Sequence, residues 1–306
     1  MKISVIGAGN VGATLAMRIV ESGIGDVVLV DVVEGLANGK ALDISDAAPI
    51  MGHEKSISGT TDYKEIEDSD VVVITAGFPR KPGMSREDLI SKNIPIMDTI
   101  VKNVKSFCKD AIIIVVTNPL DVISHYIYKS GSFPKEKVIG MAGTLDASRF
   151  SNLIAEELSV PRRDVECYVL GSHGDTMVPV VSKSSVNGEP LRNKMNEEAI
   201  QRLTERTKKR GAEIVANLKM GSACYSPSAG VLEILRAISN DSGNILCVST
   251  LLEGEYGISG CFLGVPAHIG KAGILEIVQL ELEEGESKAL KLSAEKTKHS
   301  LRSVLQ

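Results

Sequence analysis

The sequence predicts an α/β fold in which a doubly wound parallel sheet is followed by a mixed α+β domain. In the first half, short runs of β-branched residues alternate with stretches of helical periodicity. The runs are almost entirely apolar rather than alternating, which is typical of parallel strands that are buried on both faces. In the second half, strand-like runs are separated by long amphipathic helical stretches. This change of pattern predicts a first domain over residues 1–144 and a second over residues 145–306.

The predicted elements follow from these periodicities. Strands are expected over residues 3–6, 27–31, 71–75, 112–117 and 138–140, and helices over residues 11–22, 36–47, 86–108 and 120–129. In the second half, helices are expected over residues 146–158, 196–218 and 283–304, and strands over residues 165–170, 178–186, 245–252 and 260–265. Because strand–helix–strand crossovers are right-handed, we expect helices on both faces of the first sheet.

The composition excludes several classes of protein. The chain has 306 residues, 43% of them hydrophobic, which is enough to build the core of two domains. A net charge of −5 supplies no global positive field for nucleic acid or anionic lipid, and aromatic residues at 4% argue against a base-stacking platform. The longest apolar run, residues 111–116, is too short to span a membrane, and no signal peptide is evident. We therefore expect a cytoplasmic protein that binds neither nucleic acid nor membrane.

The cysteines favour reduced thiols over a metal site or a disulfide framework. Their number is odd, and no two of them have the spacing of metal ligands. They are Cys108, Cys167, Cys224, Cys247 and Cys261.

A glycine-rich motif follows the first strand-like run and begins the first helical stretch. It has the spacing G-x-G-x-x-G and consists of Gly7, Ala8, Gly9, Asn10, Val11 and Gly12. In dinucleotide-binding folds of the Rossmann type, these glycines allow a tight turn, close approach of the backbone to a pyrophosphate, and close helix–strand packing. The helix N-terminus adds partial positive charge. The motif therefore predicts a Rossmann-type sheet that binds a dinucleotide, and the alternative is a glycine turn without a ligand.

Asp31 predicts which dinucleotide is bound. It ends the second strand-like run, about twenty residues after the motif, where a carboxylate accepts hydrogen bonds from the adenosine ribose. Its charge would repel a 2′-phosphate, and the next residue, Val32, supplies no compensating charge. We therefore expect NAD rather than NADP.

His173 is the candidate for proton transfer among the five histidines. It lies in the sequence Gly-Ser-His-Gly-Asp directly after an apolar run, so a cleft at a strand end would expose it. Histidine suits proton transfer because its pKa lies near neutrality. Asp146 and Arg149 are three residues apart on a predicted helix and point the same way. They would place a carboxylate behind the histidine and a guanidinium in front of a substrate carboxylate. The alternatives are a structural histidine and a surface ion pair.

Two segments are expected at the carboxyl edge of the sheet, where ligands bind in this fold class. Residues 77–89 follow a strand and contain two prolines, two glycines and three cations, which is typical of a polar, hinged loop. The alternative is a solvated loop without a function. Thr117 and Asn118 end another buried strand at the same edge, where Asn118 offers an amide.

With these residues assembled, the chain resembles the lactate/malate dehydrogenase family over essentially its whole length. The matching motifs, in order, are GAGNVG, VLVDVVEG, TAGFPRKPGMSREDL, VTNPLDV, GMAGTLDASRF and GSHGDTMVP. The resemblance implies that His173 donates and accepts the proton, that Asp146 supports its imidazolium, and that Arg149 grips the substrate carboxylate. It further implies that Arg86 polarises the carbonyl and that Asn118 contacts both substrate and cofactor. The cofactor site would also be lined by Thr75, Ala76, Gly77, Asn93, Val116 and Thr117.

Arg80 is expected to select the substrate. In the family this loop position is typically glutamine in enzymes that act on lactate and arginine in those that act on malate. The physical reason is that oxaloacetate carries a second carboxylate, which pairs with an arginine, whereas over the methyl of pyruvate the same cation is desolvated and unpaired. The resemblance thus implies NAD-dependent interconversion of malate and oxaloacetate by a homodimer or homotetramer. The alternatives are a lactate or broad 2-hydroxy-acid dehydrogenase and a non-catalytic NAD-binding regulator.

Overall fold

The computed structural model describes residues 1–78 and 84–302, with every side chain in those ranges except that of Arg86. The first half alternates strands and helices, as the sequence predicts. Its elements are β1 (Lys2–Ile6), α1 (Asn10–Glu21), β2 (Asp26–Val30), α2 (Leu36–Asp46), α3 (Ala48–Met51), β3 (Ile57–Thr60), β4 (Val71–Ile74), α4 (Arg86–Phe107), β5 (Ile112–Val115), α5 (Leu120–Gly131), β6 (Val138–Gly140) and α6 (Gly143–Leu158).

The second half contains several very short strands and three long helices. Its elements are β7 (Val165–Glu166), β8 (Val169–Leu170), β9 (Val178–Pro179), β10 (Ser185–Val186), β11 (Glu189–Pro190), α7 (Leu191–Lys194), α8 (Glu197–Leu218), α9 (Tyr225–Ser239), β12 (Asn244–Glu253), β13 (Ser259–Gly270), β14 (Gly273–Ile277) and α10 (Glu284–Arg302).

The main sheet contains nine of the described strands, in the order β14-β13-β12-β6-β5-β4-β1-β2-β3. The six strands of the first half pair in parallel, and β12, β13 and β14 extend the sheet in antiparallel fashion from β6. The chain order reverses between β4 and β1, which creates a crevice at the carboxyl ends of these two strands. This arrangement confirms the predicted doubly wound α/β fold.

Alternate residues of the central strands enter two different cores. Val71 and Val73 of β4 pack in one buried cluster, which includes Leu15 and Ile19 of α1. The intervening residues of β4 pack in a second cluster, which includes Met97 and Ile100 of α4. Every residue of β4 and β5 is buried. Helices therefore cover both faces of the sheet, which explains why these strands read as continuous apolar runs.

Several elements differ from the prediction. The strand expected over residues 178–186 is broken into β9, a 3₁₀ turn and β10. The sequence analysis did not predict β3, β14 or α9. Pro227 is the third residue of α9, where its missing N–H is one that a helix leaves unpaired in any case. The domain boundary at residues 144/145 remains a prediction.

Two searches of the described residues concern functions other than small-molecule chemistry. None of the helices in this part of the chain is long and apolar enough to cross a membrane. The same residues contain no group of three or more His, Cys, Asp or Glu side chains that could hold a metal ion.

Candidate active site

The loops that follow β1, β4 and β5 meet at one edge of the sheet because these strands are direct neighbours. Side-chain hydroxyls tie the loops to one another. Thr75 Oγ1 donates to the Gly7 carbonyl oxygen at 2.9 Å, and Thr117 Oγ1 donates to the Ala76 carbonyl oxygen at 2.6 Å. The Val116 amide continues the ladder by donating to the Ile74 carbonyl oxygen at 2.9 Å. The structure thus brings together the predicted cofactor residues of all three loops.

The glycine motif has the shape that a pyrophosphate requires. A Cβ atom on Gly12 would lie 1.8 Å from the Gly7 carbonyl oxygen, so only glycine lets α1 pack this closely on β1. Gly7 has a positive φ of 106°, which favours glycine. Gly9 is exposed and caps α1 without a side chain, and the first turn of α1 contains no acidic residue. The partial positive charge of the helix N-terminus is therefore open to an anion, and the motif fits a dinucleotide phosphate.

Asp31 is tied directly to this motif. Its Oδ2 accepts a hydrogen bond from the Ala8 amide at 2.7 Å, and its Oδ1 accepts one from the Val33 amide at 3.0 Å. The side chain is half-buried at the end of β2. The predicted partner of the adenosine ribose therefore lies beside the predicted pyrophosphate cradle.

Asn93 connects two of the loops from beneath. Its Oδ1 accepts from the Phe78 amide at 2.7 Å, and its Nδ2 donates to the Asn118 carbonyl oxygen at 2.7 Å. The Asn93 side chain is fully buried, whereas Gly77 and Asn118 are exposed at the edge. Asn93, which we expected to line the cofactor site, thus lies between two backbone segments of that site.

His173 follows β8 and pairs with the carboxylate that the sequence assigned to it. Its Nδ1 lies 2.8 Å from Asp146 Oδ2, and the Asp146 side chain is only 2% exposed. Burial acts to lower the pKa of His173, but the charge and hydrogen bond of Asp146 outweigh it and raise the pKa above its ordinary value of 6.5. With Nδ1 engaged, Nε2 is the nitrogen available to a substrate. The pair can therefore hold one proton and exchange it with a substrate at Nε2.

Arg149 shares the same carboxylate. Its NH1 donates to Asp146 Oδ1 at 3.3 Å, and the Arg149 side chain is 11% exposed. Burial lowers the pKa of Arg149, although Asp146 opposes that change. Within the described residues, the buried Nε of Arg149 has no hydrogen-bond partner. A buried guanidinium with unused donors fits a carboxylate ligand, which a planar fork can bind through two hydrogen bonds.

The position of α8 leaves room around this guanidinium. Gly211 is the residue of α8 that approaches it, and a Cβ atom there would lie 3.9 Å from both terminal nitrogens of Arg149. The neighbouring residue on α8, Arg210, forms an ion pair with Glu213 instead, with 3.0 Å between Arg210 NH1 and Glu213 Oε2. Any larger side chain at residue 211 would extend towards the space in front of Arg149.

The two remaining predicted arginines are described only in part or not at all. Arg86 is the first residue of α4, directly after the N-cap Ser85, whose Oγ accepts from the Asp88 amide at 3.0 Å. The side chain of Arg86 lies outside the described part of the structure, and so does all of Arg80. Their expected roles therefore remain predictions.

Sequence reasoning missed the side chains that hold the His173 backbone. The Ser172 amide donates to Ser293 Oγ at 2.8 Å, and the His173 amide donates to Asp121 Oδ2 at 3.0 Å. A signal for Asp121 was present in the sequence, since it is a carboxylate inside the apolar stretch that begins α5. Ser293 lies on a distant helix, and no sequence signal pointed to it.

Both halves of the chain match the models of one protein family. Residues 1–140 match the lactate/malate dehydrogenase NAD binding domain, and residues 143–306 match the lactate/malate dehydrogenase alpha/beta C-terminal domain. The chain belongs to the lactate/malate dehydrogenase family. Its first half is thus the NAD-binding domain of that family, which agrees with the glycine motif and with Asp31.

Individual members of the family are similar along nearly the whole chain. A malate dehydrogenase of Chlorobium phaeobacteroides is 50% identical over 295 residues, which are 96% of this chain and 95% of that protein. A crystal structure of malate dehydrogenase from Cryptosporidium parvum superposes with a TM-score of 0.96 at 38% identity, covering 98% of both chains. A lactate dehydrogenase structure from the same organism superposes with the same TM-score of 0.96 and the same identity of 38%, covering 98% of this chain and 96% of that one. The overall fold therefore does not distinguish a malate dehydrogenase from a lactate dehydrogenase.

Proposed function

We propose that the protein is an NAD-dependent malate dehydrogenase, which interconverts (S)-malate and oxaloacetate. The observation that carries this proposal is the buried cluster of His173, Asp146 and Arg149 in a chain that also has the family's NAD-binding domain. The cluster supplies a proton carrier and a carboxylate clamp, and the dinucleotide site supplies the redox partner. Curated relatives at about half identity over nearly full length bear the name malate dehydrogenase, which favours this substrate.

Proton transfer is the part of the reaction that His173 performs. In malate oxidation, the neutral imidazole accepts the proton of the C2 hydroxyl at Nε2 and becomes an imidazolium. Asp146 stabilises this cation through Nδ1, where the two atoms are 2.8 Å apart. In the reverse reaction, the imidazolium returns the proton to the oxygen at C2. Since the carboxylate fixes which ring nitrogen carries a proton, it also sets the tautomer that faces the substrate.

Substrate orientation is assigned to arginines and an amide. Arg149 would bind the C1 carboxylate with the donors that its buried position leaves unused. Arg86 would polarise the C2 carbonyl, and Asn118 would hold the substrate at the exposed edge. A positive charge beside the carbonyl oxygen stabilises the negative charge that develops there most strongly where water is excluded, so closure of residues 77–89 over the site would strengthen this effect.

The residues at the sheet edge would hold NAD. The backbone of residues 7–12 would bind the pyrophosphate, Asp31 the adenosine ribose, and the strand ends at residues 75–77 and 116–118 the remainder. When bound there, NAD would supply the hydride-acceptor chemistry of the reaction, which side chains do not supply. The protein's own contribution is to orient the substrate and to move the proton.

Arg80 is proposed as the selector of the second carboxylate, and steady-state kinetics test it. We expect wild-type protein to oxidise NADH far faster with oxaloacetate than with pyruvate, and Arg80→Gln to lose most of this preference. Lys81→Gln removes a neighbouring cation of the same segment and is the matched control, which should keep the preference. A wild type that prefers pyruvate would favour a lactate or broad 2-hydroxy-acid dehydrogenase. A protein that binds NADH tightly and turns over neither compound would instead be an NAD-binding regulator.

We further propose that the protein is a homodimer or homotetramer. Large apolar side chains on α2 and α3 support this, since Leu42, Ile50 and Met51 are 59%, 86% and 55% exposed in the single chain. Sedimentation of the purified protein at micromolar concentration should show a dimer or tetramer, and a monomer would contradict this part of the proposal. The cytoplasmic location remains a prediction.

A further inference from the structure

Asp121 is a second buried carboxylate beside the proton-transfer pair. It lies in the first turn of α5 and is 0% exposed. Its Oδ2 accepts hydrogen bonds from Ser172 Oγ at 2.6 Å and from the His173 amide at 3.0 Å. Its Oδ1 accepts from Ser249 Oγ at 2.7 Å. One carboxylate thus joins α5, the loop that carries His173, and β12.

This carboxylate is buried without a cation within ion-pair distance among the described side chains. A buried charge is costly unless hydrogen bonds satisfy it. The three donors and the partial positive charge of the α5 N-terminus provide that satisfaction. An uncharged residue would fill the same space in the core at a lower desolvation cost, so the presence of a charged carboxylate here indicates a specific role.

The His173 loop leaves the sheet at the point where Asp121 holds it. Gly171 still pairs with Gly264 of β13, through hydrogen bonds of 2.9 and 3.1 Å in the two directions. The next two amides donate to side chains instead, that of Ser172 to Ser293 Oγ and that of His173 to Asp121. The loop is therefore fixed from two helices, and Asp121 makes the contact at His173 itself.

We propose that Asp121 is a positioning residue for His173: its carboxylate fixes the backbone and adds negative charge behind the imidazole that pairs with Asp146. The proposal rests on the proposed function for its catalytic consequence. Among the side chains that the structure describes, the charged groups that face His173 are Asp146 and Arg149 on α6 and Asp121 on α5. Asp121 raises the pKa of His173 together with Asp146, whereas Arg149 lowers it. Removal of the Asp121 charge should therefore lower that pKa.

Two variants separate the charge from the backbone contact. Asp121→Asn keeps an oxygen that can accept from the His173 amide, and its amino group can donate to Ser249 once the Ser249 hydroxyl rotates, so the charge is lost while both contacts can be kept. Asp121→Ala also removes the acceptor and lets the loop relax. Val122→Ala is the matched control, because Val122 is a fully buried neighbour on α5 whose truncation destabilises the core but removes neither a charge nor a hydrogen bond.

The first readout needs no turnover. Histidines labelled with ¹³C at Cε1 are titrated by NMR in wild type and Asp121→Asn, with His173→Gln used to assign the resonance. We expect the His173 titration to move to lower pH in Asp121→Asn and to stay in place in Val122→Ala. An unchanged His173 titration in Asp121→Asn would overturn the electrostatic part of the proposal, even if the protein had no activity on malate.

The second readout is kcat for oxaloacetate per folded molecule, with NADH affinity and Tm measured in parallel. A displacement of about 1 Å at a catalytic group costs about 100-fold in rate, so Asp121→Ala should lose about that factor in kcat while still binding NADH. Asp121→Asn should lose less, and its kcat should recover as the pH is lowered. If Val122→Ala with a similar fall in Tm lost as much kcat as Asp121→Ala, the role of Asp121 would be stability alone and the positioning role would be refuted.

Discussion

Replacement of Asp146 by Asn perturbs the proton carrier with almost no change in shape. Asp146 Oδ2 lies 2.8 Å from His173 Nδ1, and Oδ1 lies 3.3 Å from Arg149 NH1. The amide of Asn has one oxygen and one amino group, so it cannot accept from both partners. If its amino group faces Nδ1, the imidazole proton moves to Nε2, and the ring cannot accept a proton from malate.

The size of the effect follows from the burial of the pair. Removal of one partner from a buried ion pair costs about 3–5 kcal/mol. Since about 1.4 kcal/mol is one factor of ten in rate, the loss of kcat should lie between about 10²- and 10⁴-fold. Burial then remains as the main influence on His173 and lowers its pKa, because the compensating carboxylate charge is gone.

This change in pKa gives the two directions of the reaction different pH responses. Oxaloacetate reduction needs the imidazolium, so its pH profile in Asp146→Asn should fall off at a lower pH than in wild type. The assay is kcat against pH for NADH oxidation with saturating oxaloacetate, with Ser151→Ala on the same helix as control. Ser151 donates to the Val165 carbonyl oxygen at 3.4 Å, away from the pair. A loss below tenfold in Asp146→Asn, with an unshifted profile, would refute the assigned role of Asp146.

Four further predictions concern cofactor choice, packing at two glycines and the pH dependence of stability. Asp31→Ser should weaken NADH binding and raise kcat/KM for NADPH relative to kcat/KM for NADH. An unchanged ratio of these two values would argue against the contact of Asp31 with the ribose. Gly12→Ala should cost about 1–3 kcal/mol or more in unfolding free energy and abolish cofactor binding, since its Cβ would lie 1.8 Å from the Gly7 carbonyl oxygen. Gly39→Ala in exposed α2 meets nothing within 4 Å and should stabilise by about 0.5–1 kcal/mol. Burial lowers the pKa of His125 from 6.5 to about 4. Wild type should therefore lose up to about 3 kcal/mol of unfolding free energy as the pH falls between those values, whereas His125→Phe should not. Urea titrations of both proteins at pH 5 and 7.5 measure this loss, and an equal difference in stability between the two proteins at both pH values would contradict the prediction.

The sign of the His125 effect follows from its surroundings. The ring packs edge-on against Tyr128 and Phe262, with centroids 6.2 and 5.9 Å away, and the residue is 4% exposed. The folded protein therefore favours the neutral ring. Above pH 6.5 the ring is neutral in both states and the stability is complete. As the pH falls from 6.5 towards 4, the unfolded chain binds a proton that the folded chain does not, and stability is lost.

Local sequence patterns predicted most elements of the first half of the fold because the apolar runs there are strong. β4 and β5 are buried on both faces, so their apolar runs identified them directly. Tertiary context decided the rest. The four residues of β3 at the sheet edge include a serine, a glycine and a threonine, and α9 contains a proline and a glycine that its position tolerates. Neither element had a periodicity that outweighed those residues.

In the candidate site, too, local patterns predicted some contacts and only the tertiary structure shows the others. The spacing of Asp146 and Arg149 on a helix is local, and the structure places both beside His173. The contacts of Asp121 with Ser172 and Ser249 join residues that are 51 and 128 positions apart, and no local pattern encodes such pairings. The hydrogen bonds of Asn93 are of the same long-range kind, because both are to backbone groups of distant loops.

The most direct test of the account is turnover of oxaloacetate with NADH by wild type and His173→Gln, with NADH affinity measured on the same samples by fluorescence. Glutamine keeps a polar side chain of similar reach but cannot carry a proton at neutral pH. The account predicts rapid oxidation of NADH by wild type, and unchanged NADH affinity with a loss of at least about 10²- to 10⁴-fold in kcat for His173→Gln. A variant that binds NADH normally and keeps its kcat within tenfold of wild type would contradict the assignment of His173 as the proton carrier.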